Sequence, residues 1–121
     1  MSDSFINELK SIAAETDAAV IVDESGTGFG ATGKGLWQYE GDSDYLVFGK
    51  RSIVSGYFSK EQLLGFGGDE HDVYLSALVY KGIKNENLIE KVKRTSGVLK
   101  SHHDAIEGGS DRIKKVRIVG T

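Results

Sequence analysis

The first quarter of the chain predicts an amphipathic helix followed by a buried strand. After Ser4, a plausible N-cap, apolar residues recur with the spacing of one helical face. These residues are Phe5, Leu9, Ile12 and Ala13. We expect the helix to end near Thr16, and the continuous β-branched run at 18–22 to form a strand covered on both faces, as in a parallel sheet. Asp23 then lies at the carboxyl end of that strand.

Further apolar runs predict more strands after a glycine-rich loop. The segment 25–35 holds five glycines, which excludes a regular element there. Residues 45–48 and 53–58 are rich in β-branched and aromatic side chains and indicate two strands, and the run at 116–119 indicates a weak final strand. This order of elements predicts an α/β fold with a small, mostly parallel sheet of about three strands flanked by helices.

The second half of the chain predicts two helices. Asp69 or Asp72 can cap the first, which we expect to end at Gly82. Asn85 can cap a longer C-terminal helix with apolar residues at nearly heptad spacing, and the glycine pair 108–109 ends it.

Composition narrows the functional classes. Of the 121 residues, 15 are Lys or Arg and 18 are Asp or Glu, a balance that gives no electrostatic case for nucleic acid as a partner. The longest apolar run has five residues, whereas a membrane span needs about 20. The chain has no cysteine, which excludes disulfides, thiolate nucleophiles and zinc–cysteine clusters. The first ten residues lack a signal-peptide pattern, so we expect a cytoplasmic protein.

The glycine-rich loop contains two partial phosphate-binding motifs. Residues 28–33 spell GxGxxG after a predicted strand, but no helix is predicted to open at the last glycine, as dinucleotide binding requires. Gly28 to Lys34 also resembles a P-loop, with Gly35 where Ser or Thr should hold magnesium. An ordinary glycine-rich loop is the simpler interpretation, and phosphate or nucleotide binding by residues 28–34 stays an alternative.

Two residues at predicted strand ends can carry chemistry. Asp23 can hold a cationic ring nitrogen or a metal outside the sheet, or it can be an ordinary capping residue. Lys50 follows the second strand beside Arg51, where a neighbouring cation and desolvation favour the neutral amine that forms an imine; a solvated basic pair is the alternative. His102 and His103 are adjacent on a helix and cannot both face one metal, so we expect no metal site.

Two stretches of the sequence resemble a known family. They are AVIVDESGTGFGATGKGLWQYEG and YLVFGKRSIVSGYFSKE. Both are similar to the central segment of class III pyridoxal-phosphate-dependent aminotransferases, especially the 4-aminobutyrate aminotransferase group. In that family a buried strand ends in Asp-Glu, a glycine-rich loop follows, and a second strand delivers the Schiff-base lysine.

The resemblance implies roles for both strand-end residues. Asp23 matches the carboxylate that pairs with the protonated pyridine nitrogen of pyridoxal 5'-phosphate. Lys50 matches the lysine that holds this cofactor and then moves the proton during transamination. The implied substrates are a small amino donor and a 2-oxo acid. The implied fold is part of a fold-type-I aminotransferase large domain.

The resemblance also implies an incomplete site. The family has Val and Gln at the positions of Ser25 and Gly26, where they pack on the ring and reach its hydroxyl. Residues 1–121 match one segment of the large domain, with 85–121 as the connection to the C-terminal small domain. We therefore expect a truncated or divergent transaminase with little activity alone, which forms a homo-oligomer or binds a completing partner. A mitochondrial location is the family-based alternative to the cytoplasm, and a non-catalytic binding or oligomerisation module is the alternative function.

Overall fold

The elements of the fold confirm the predicted α/β architecture. A computed structural model describes residues 3–39, 41–61, 69–109, 111–113 and 115–120. Within them, one helix precedes three strands, and two helices follow. The elements are α1 (Asp3–Thr16), β1 (Ile21–Asp23), β2 (Tyr45–Phe48), β3 (Gly56–Ser59), α2 (Glu70–Asn85) and α3 (Leu88–Gly108).

The sheet has the order β1-β2-β3 and is mixed. β1 runs parallel to β2, with Asp23 opposite Val47, and β3 returns antiparallel to β2. The expected three strands are therefore present, but only one of their two pairings is parallel. The prediction that the first strand occupies 18–22 and is covered on both faces is wrong, because β1 spans Ile21–Asp23 at the edge of the sheet and Ile21 is 65% exposed. The first pair is held in register from both ends, because Val20 donates its N–H to the Asp44 carboxylate at 2.7 Å and Glu24 donates its N–H to the Val47 carbonyl at 2.8 Å.

The third strand begins later than the apolar run predicted. Ile53 has a φ of 71°, a left-handed conformation that is unusual for a β-branched residue and incompatible with a strand. Ser52, which is only 1% exposed, donates its hydroxyl to the Val54 carbonyl at 2.5 Å and fixes this turn. Strand pairing then starts at Gly56.

The helix boundaries agree with the predictions at three of six points. The predicted N-cap Ser4 is wrong, because Ser4 already lies within α1, which includes Asp3. α1 ends at Thr16 as expected, Asp69 caps α2 by accepting the N–H of His71 at 3.0 Å, and α3 ends at Gly108. The predicted stop at Gly82 is wrong, because this glycine keeps a helical conformation and α2 continues to Asn85. Asn85 is consequently not the cap of α3; a left-handed Asn87 separates the two helices.

The predicted final strand is also wrong. Residues 115–120 form no strand pairing with the described residues. Lys115 and Gly120 both have positive φ, which breaks an extended run at each end. Gly120 instead lies on the glycine-rich loop, where a side chain would collide with the Ala31 carbonyl.

The interior of this fold is small. An aromatic cluster joins the glycine-rich loop to the sheet, with centroid separations of 4.9 to 6.3 Å. Its members are Phe29, Trp37, Phe48 and Phe58. Among the described residues, Ile83 is the only large hydrophobic side chain that is buried. Most apolar side chains of the helices are at least partly exposed.

Candidate functional site

Asp23 ends β1 with an exposed and ionised carboxylate. One of its oxygens accepts the backbone N–H of Ser25 at 2.8 Å. The Ser25 hydroxyl and, less strongly, this N–H lower the pKa of Asp23 below its ordinary value of 3.8, because both donate to the charged form. The group is therefore an anion at neutral pH.

Lys50 lies just beyond β2 in a strained turn. Its φ is 61°, and the N–H of Arg51 donates to the Gly49 carbonyl at 2.6 Å across it. This is a γ-turn with a left-handed central residue, a rare and costly conformation for a residue with a side chain. The Lys50 side chain is exposed, and within the described part of the chain no group pairs with its ammonium.

The topology brings Asp23 and Lys50 to the same edge of the sheet. β1 and β2 are parallel neighbours, and Asp23 is in register with Val47, three residues before Lys50. Asp23 is the last residue of β1 and Lys50 follows β2, so both lie at the carboxyl ends of adjacent parallel strands, where open α/β sheets bind ligands. The Arg51 guanidinium connects the two segments by donating to the Gly26 carbonyl at 2.7 Å.

Glu24 organises the glycine-rich loop, a role that sequence reasoning missed. It is 2% exposed, and its carboxylate accepts the Thr27 hydroxyl at 2.5 Å and the Tyr39 N–H at 2.6 Å. A buried carboxylate needs such partners, and here they tie the start of the loop to the segment that follows it. The Asp-Glu pair at the strand end was the one available signal, but the 15-residue separation from Tyr39 is invisible in a local pattern.

The loop does not have the features of a phosphate cradle. Four of its backbone N–H groups already donate to backbone carbonyls of the loop or of the residues that flank it, those of Gly28, Gly30, Ala31 and Gly33. The segment after Gly33 is a series of turns, and no helix starts there, so the helical N-terminus that both phosphate motifs require is missing from this place. The phosphate alternative for residues 28–34 loses its geometric support.

A cleft of about 760 Å³ lies between α1 and β1. Asp23 and Glu24 line it together with Lys34 and Arg117, so it carries both signs of charge. Lys50 is not among its lining residues. The cleft therefore reaches Asp23 but not Lys50.

Comparison with known proteins decides the family. The class III aminotransferase family matches this chain over residues 1–121. The chain belongs to the class III aminotransferase family. Its members depend on pyridoxal phosphate, so the family and the cofactor expected from the sequence are confirmed.

Relatives show how much of the family this chain represents. It is 33% identical over 112 residues to the mitochondrial 4-aminobutyrate aminotransferase of Mus musculus, which covers 81% of this chain. The match spans only 22% of the mouse protein, about a fifth of its length.

Solved structures support the fold. Lysine aminotransferase from M. tuberculosis matches with a TM-score of 0.76 and 23% identity, over 88% of this chain and 28% of that one. Ornithine delta-aminotransferase from Plasmodium falciparum matches with a TM-score of 0.78 and 22% identity, over 98% and 35% of the two chains. The arrangement of helices and strands is thus that of part of a fold-type-I aminotransferase domain.

Within the described residues, no three His, Cys, Asp or Glu side chains come together as a metal ion would require. None of the helices in that part of the chain is long and apolar enough to cross a membrane.

Proposed function

We propose that this chain supplies the pyridine-binding aspartate and the Schiff-base lysine of a pyridoxal-phosphate-dependent transaminase. The observation that carries the proposal is the placement of Asp23 and Lys50 at the carboxyl ends of the parallel neighbours β1 and β2. The whole reaction would transfer an amino group from a small donor to a 2-oxo acid. A mouse relative named for 4-aminobutyrate makes an amino acid with a terminal amine the donor class we propose.

Asp23 suits the ring-nitrogen end of the cofactor. Its lowered pKa keeps it anionic, and an exposed carboxylate at a strand end can accept a hydrogen bond from a protonated pyridine nitrogen. The proton held there makes the ring a strong acceptor of electrons. When bound, pyridoxal phosphate supplies the electron sink for the substrate carbon.

Lys50 suits the aldehyde end. Its primary amine can hold the cofactor covalently and, once a substrate amine has displaced it, can take and return the proton at the substrate carbon. None of the described residues forms an ion pair with the Lys50 amine, so the amine is available for this exchange. Because Ser25 and Gly26 stand where the family has Val and Gln, we propose that orientation of the ring depends more heavily on Asp23 and Lys50 than is usual.

Borohydride trapping tests the proposal. The chain is mixed with pyridoxal phosphate and reduced, and peptide mass spectrometry then reports which lysine carries the pyridoxyl group. We expect labelling to concentrate on Lys50, to disappear from that peptide in Lys50→Ala, and to weaken in Asp23→Asn at limiting cofactor. Lys81→Ala is the matched control, since Lys81 is an exposed lysine on α2. Equal labelling of Lys50 and Lys81 in the wild-type chain would refute the proposal.

A non-catalytic role is the second candidate, and the exposed apolar faces favour it. Side chains such as Ile21 on β1 and Tyr74 on α2 are 65% and 61% exposed, which suits a module that acts by association. Association without selective labelling of Lys50 would support this role over catalysis. Selective labelling would support the transaminase site whether or not the chain associates.

A further inference from the structure

The turn that carries Lys50 is strained and needs an external restraint. A left-handed γ-turn at a residue with a side chain persists only when its surroundings fix it. Gly49 is buried before it, and a side chain there would approach the Ser55 hydroxyl oxygen to 2.6 Å. On the other side, the Ser52 carbonyl accepts the hydroxyl of Ser76 on α2. The residues around Lys50 are therefore anchored to β2 and to α2, which fixes both ends of the turn.

Arg51, the last residue of the same turn, anchors it to the Asp23 segment. Its Nη1 donates to the Gly26 carbonyl at 2.7 Å across 25 residues of sequence. Gly26 follows Ser25, whose N–H is bonded to the Asp23 carboxylate. A continuous path of bonds thus runs from Asp23 through Ser25 and Gly26 to Arg51, the neighbour of Lys50.

We propose that Arg51 is a positioning residue, which holds the Lys50 amine at a fixed separation from the Asp23 carboxylate. The inference rests on the proposed function, because a ring bound at its nitrogen and at its aldehyde carbon requires its two partners to be correctly spaced. The guanidinium is suited to this role, since it is always charged and presents a rigid, planar set of donors. Without it, the γ-turn relaxes, and the amine samples positions that the cofactor cannot use.

The first experiment measures the turn without any cofactor. Arg51→Ala and the matched control Arg94→Ala each remove one exposed arginine, the latter from α3. Hydrogen exchange is followed at the amide of residue 51, which is bonded to the Gly49 carbonyl. We expect exchange to accelerate roughly fivefold in Arg51→Ala, as the loss of one ordinary hydrogen bond would produce, and to stay unchanged in Arg94→Ala. Unchanged exchange in Arg51→Ala would overturn the positioning role, whatever the chain does with pyridoxal phosphate.

The second experiment connects the turn to the chemistry. The ratio of pyridoxyl labelling at Lys50 to that at Lys81 is measured in the same variants and in Arg51→Lys. We expect the ratio to fall roughly fivefold in Arg51→Ala, to recover partly in Arg51→Lys, and to stay at the wild-type value in Arg94→Ala. If pyridoxyl labelling is selective for Lys50 in the wild-type chain and equally selective in Arg51→Ala, the inference is overturned and the proposed function stays intact. A wild-type chain without selectivity would refute the proposed function, and the exchange experiment would still decide whether Arg51 restrains the turn.

Discussion

At the scale of single residues, Ser25 controls the charge of Asp23. In Ser25→Ala we expect the pKa of Asp23 to rise toward 3.8, because the hydroxyl is lost while the backbone N–H at 2.8 Å stays. Carbon-detected NMR titration of the Asp23 carboxyl measures this directly. Ser25→Thr should keep the lowered pKa, and Ser101→Ala, which removes a hydroxyl from α3, should not affect it. A titration of Asp23 identical in wild type and Ser25→Ala would contradict the assignment.

Ser25 and Asp23 also make the stability of the fold depend on pH. The sign of this dependence follows from the direction in which the pKa of Asp23 is shifted. A carboxyl with a lowered pKa in the folded state stabilises the fold above its ordinary pKa of 3.8, and this contribution is lost as pH falls through the folded value. Ser25→Ala reduces the difference between the folded and unfolded pKa. Its stability should therefore be lower than that of the wild type at neutral pH, with the part of the difference that arises from Asp23 ionisation vanishing in acid.

At the scale of elements, the close packing of the glycine-rich loop on α3 requires particular glycines. Gly33 has a φ of 73°, and a Cβ added there would lie 2.8 Å from the backbone nitrogen of Lys93. Gly82 is its matched control, a helical glycine of α2 whose added Cβ meets nothing within 4 Å. We expect Gly33→Ala to lower the free energy of unfolding by about 1–3 kcal/mol through strain and collision, and Gly82→Ala to raise it by about 0.5–1 kcal/mol through helix propensity. Urea denaturation measures both, and a stabilised Gly33→Ala would show that loop and helix do not pack in this way.

The outcome for individual elements shows what local patterns can predict. Periodicity located α1 and the long α3 because a helix satisfies its own backbone hydrogen bonds and its signal is contained in one segment. Strands depend on neighbours. The apolar run at 116–119 found no partner in the described residues, and the run at 53–58 was shortened by the left-handed turn at Ile53. The sequence pattern also could not identify Gly82 as an interior helical residue. Glycine is common just after helices and rare within them, so its position predicted a helix end.

The residues of the candidate site also fall into two groups, those that local sequence could predict and those that it could not. Asp23 and Lys50 could be predicted because both follow strand-like runs and match the motif of a known family. Glu24 and Arg51 could not, because their roles depend on hydrogen bonds to residues 15 and 25 positions away. Local sequence therefore identified groups that can perform chemistry, while the bonds that fix their positions emerged only from the fold.

At the scale of the whole molecule, the solvent-accessible surface area is large for the molecular mass. A folded monomer of 13.1 kDa has an accessible surface of about 6,400 Å², whereas this chain exposes 9083 Å². The excess of about 2,700 Å² is more than a standard protein interface buries in total. Exposed apolar side chains lie on β1 and on the C-terminal half of α3, among other places. Such faces lower their free energy when another surface covers them.

This excess area predicts self-association of the 121-residue chain in isolation. Val98 and Ile106 are 54% and 50% exposed on α3, and each would bury apolar area in an assembly. We expect the weight-average mass in sedimentation equilibrium to rise with concentration, and to rise less in a Val98→Gln/Ile106→Gln variant, because glutamine preserves the helix but removes the apolar side chains. Arg94→Gln/Lys100→Gln is the matched control, since it changes two exposed polar positions of the same helix.

A second arm separates the helix face from the sheet edge. Ile21→Lys places a charge on the exposed edge of β1, where natural sheets use lysine to prevent pairing between chains. If strand pairing drives assembly, this variant becomes monomeric and the α3 variant does not; if the helix face drives it, the order reverses. A wild-type chain that stays monomeric up to about 100 μM, where ordinary protein interfaces are largely occupied, would show that the exposed faces are tolerated in water and would contradict the association argument.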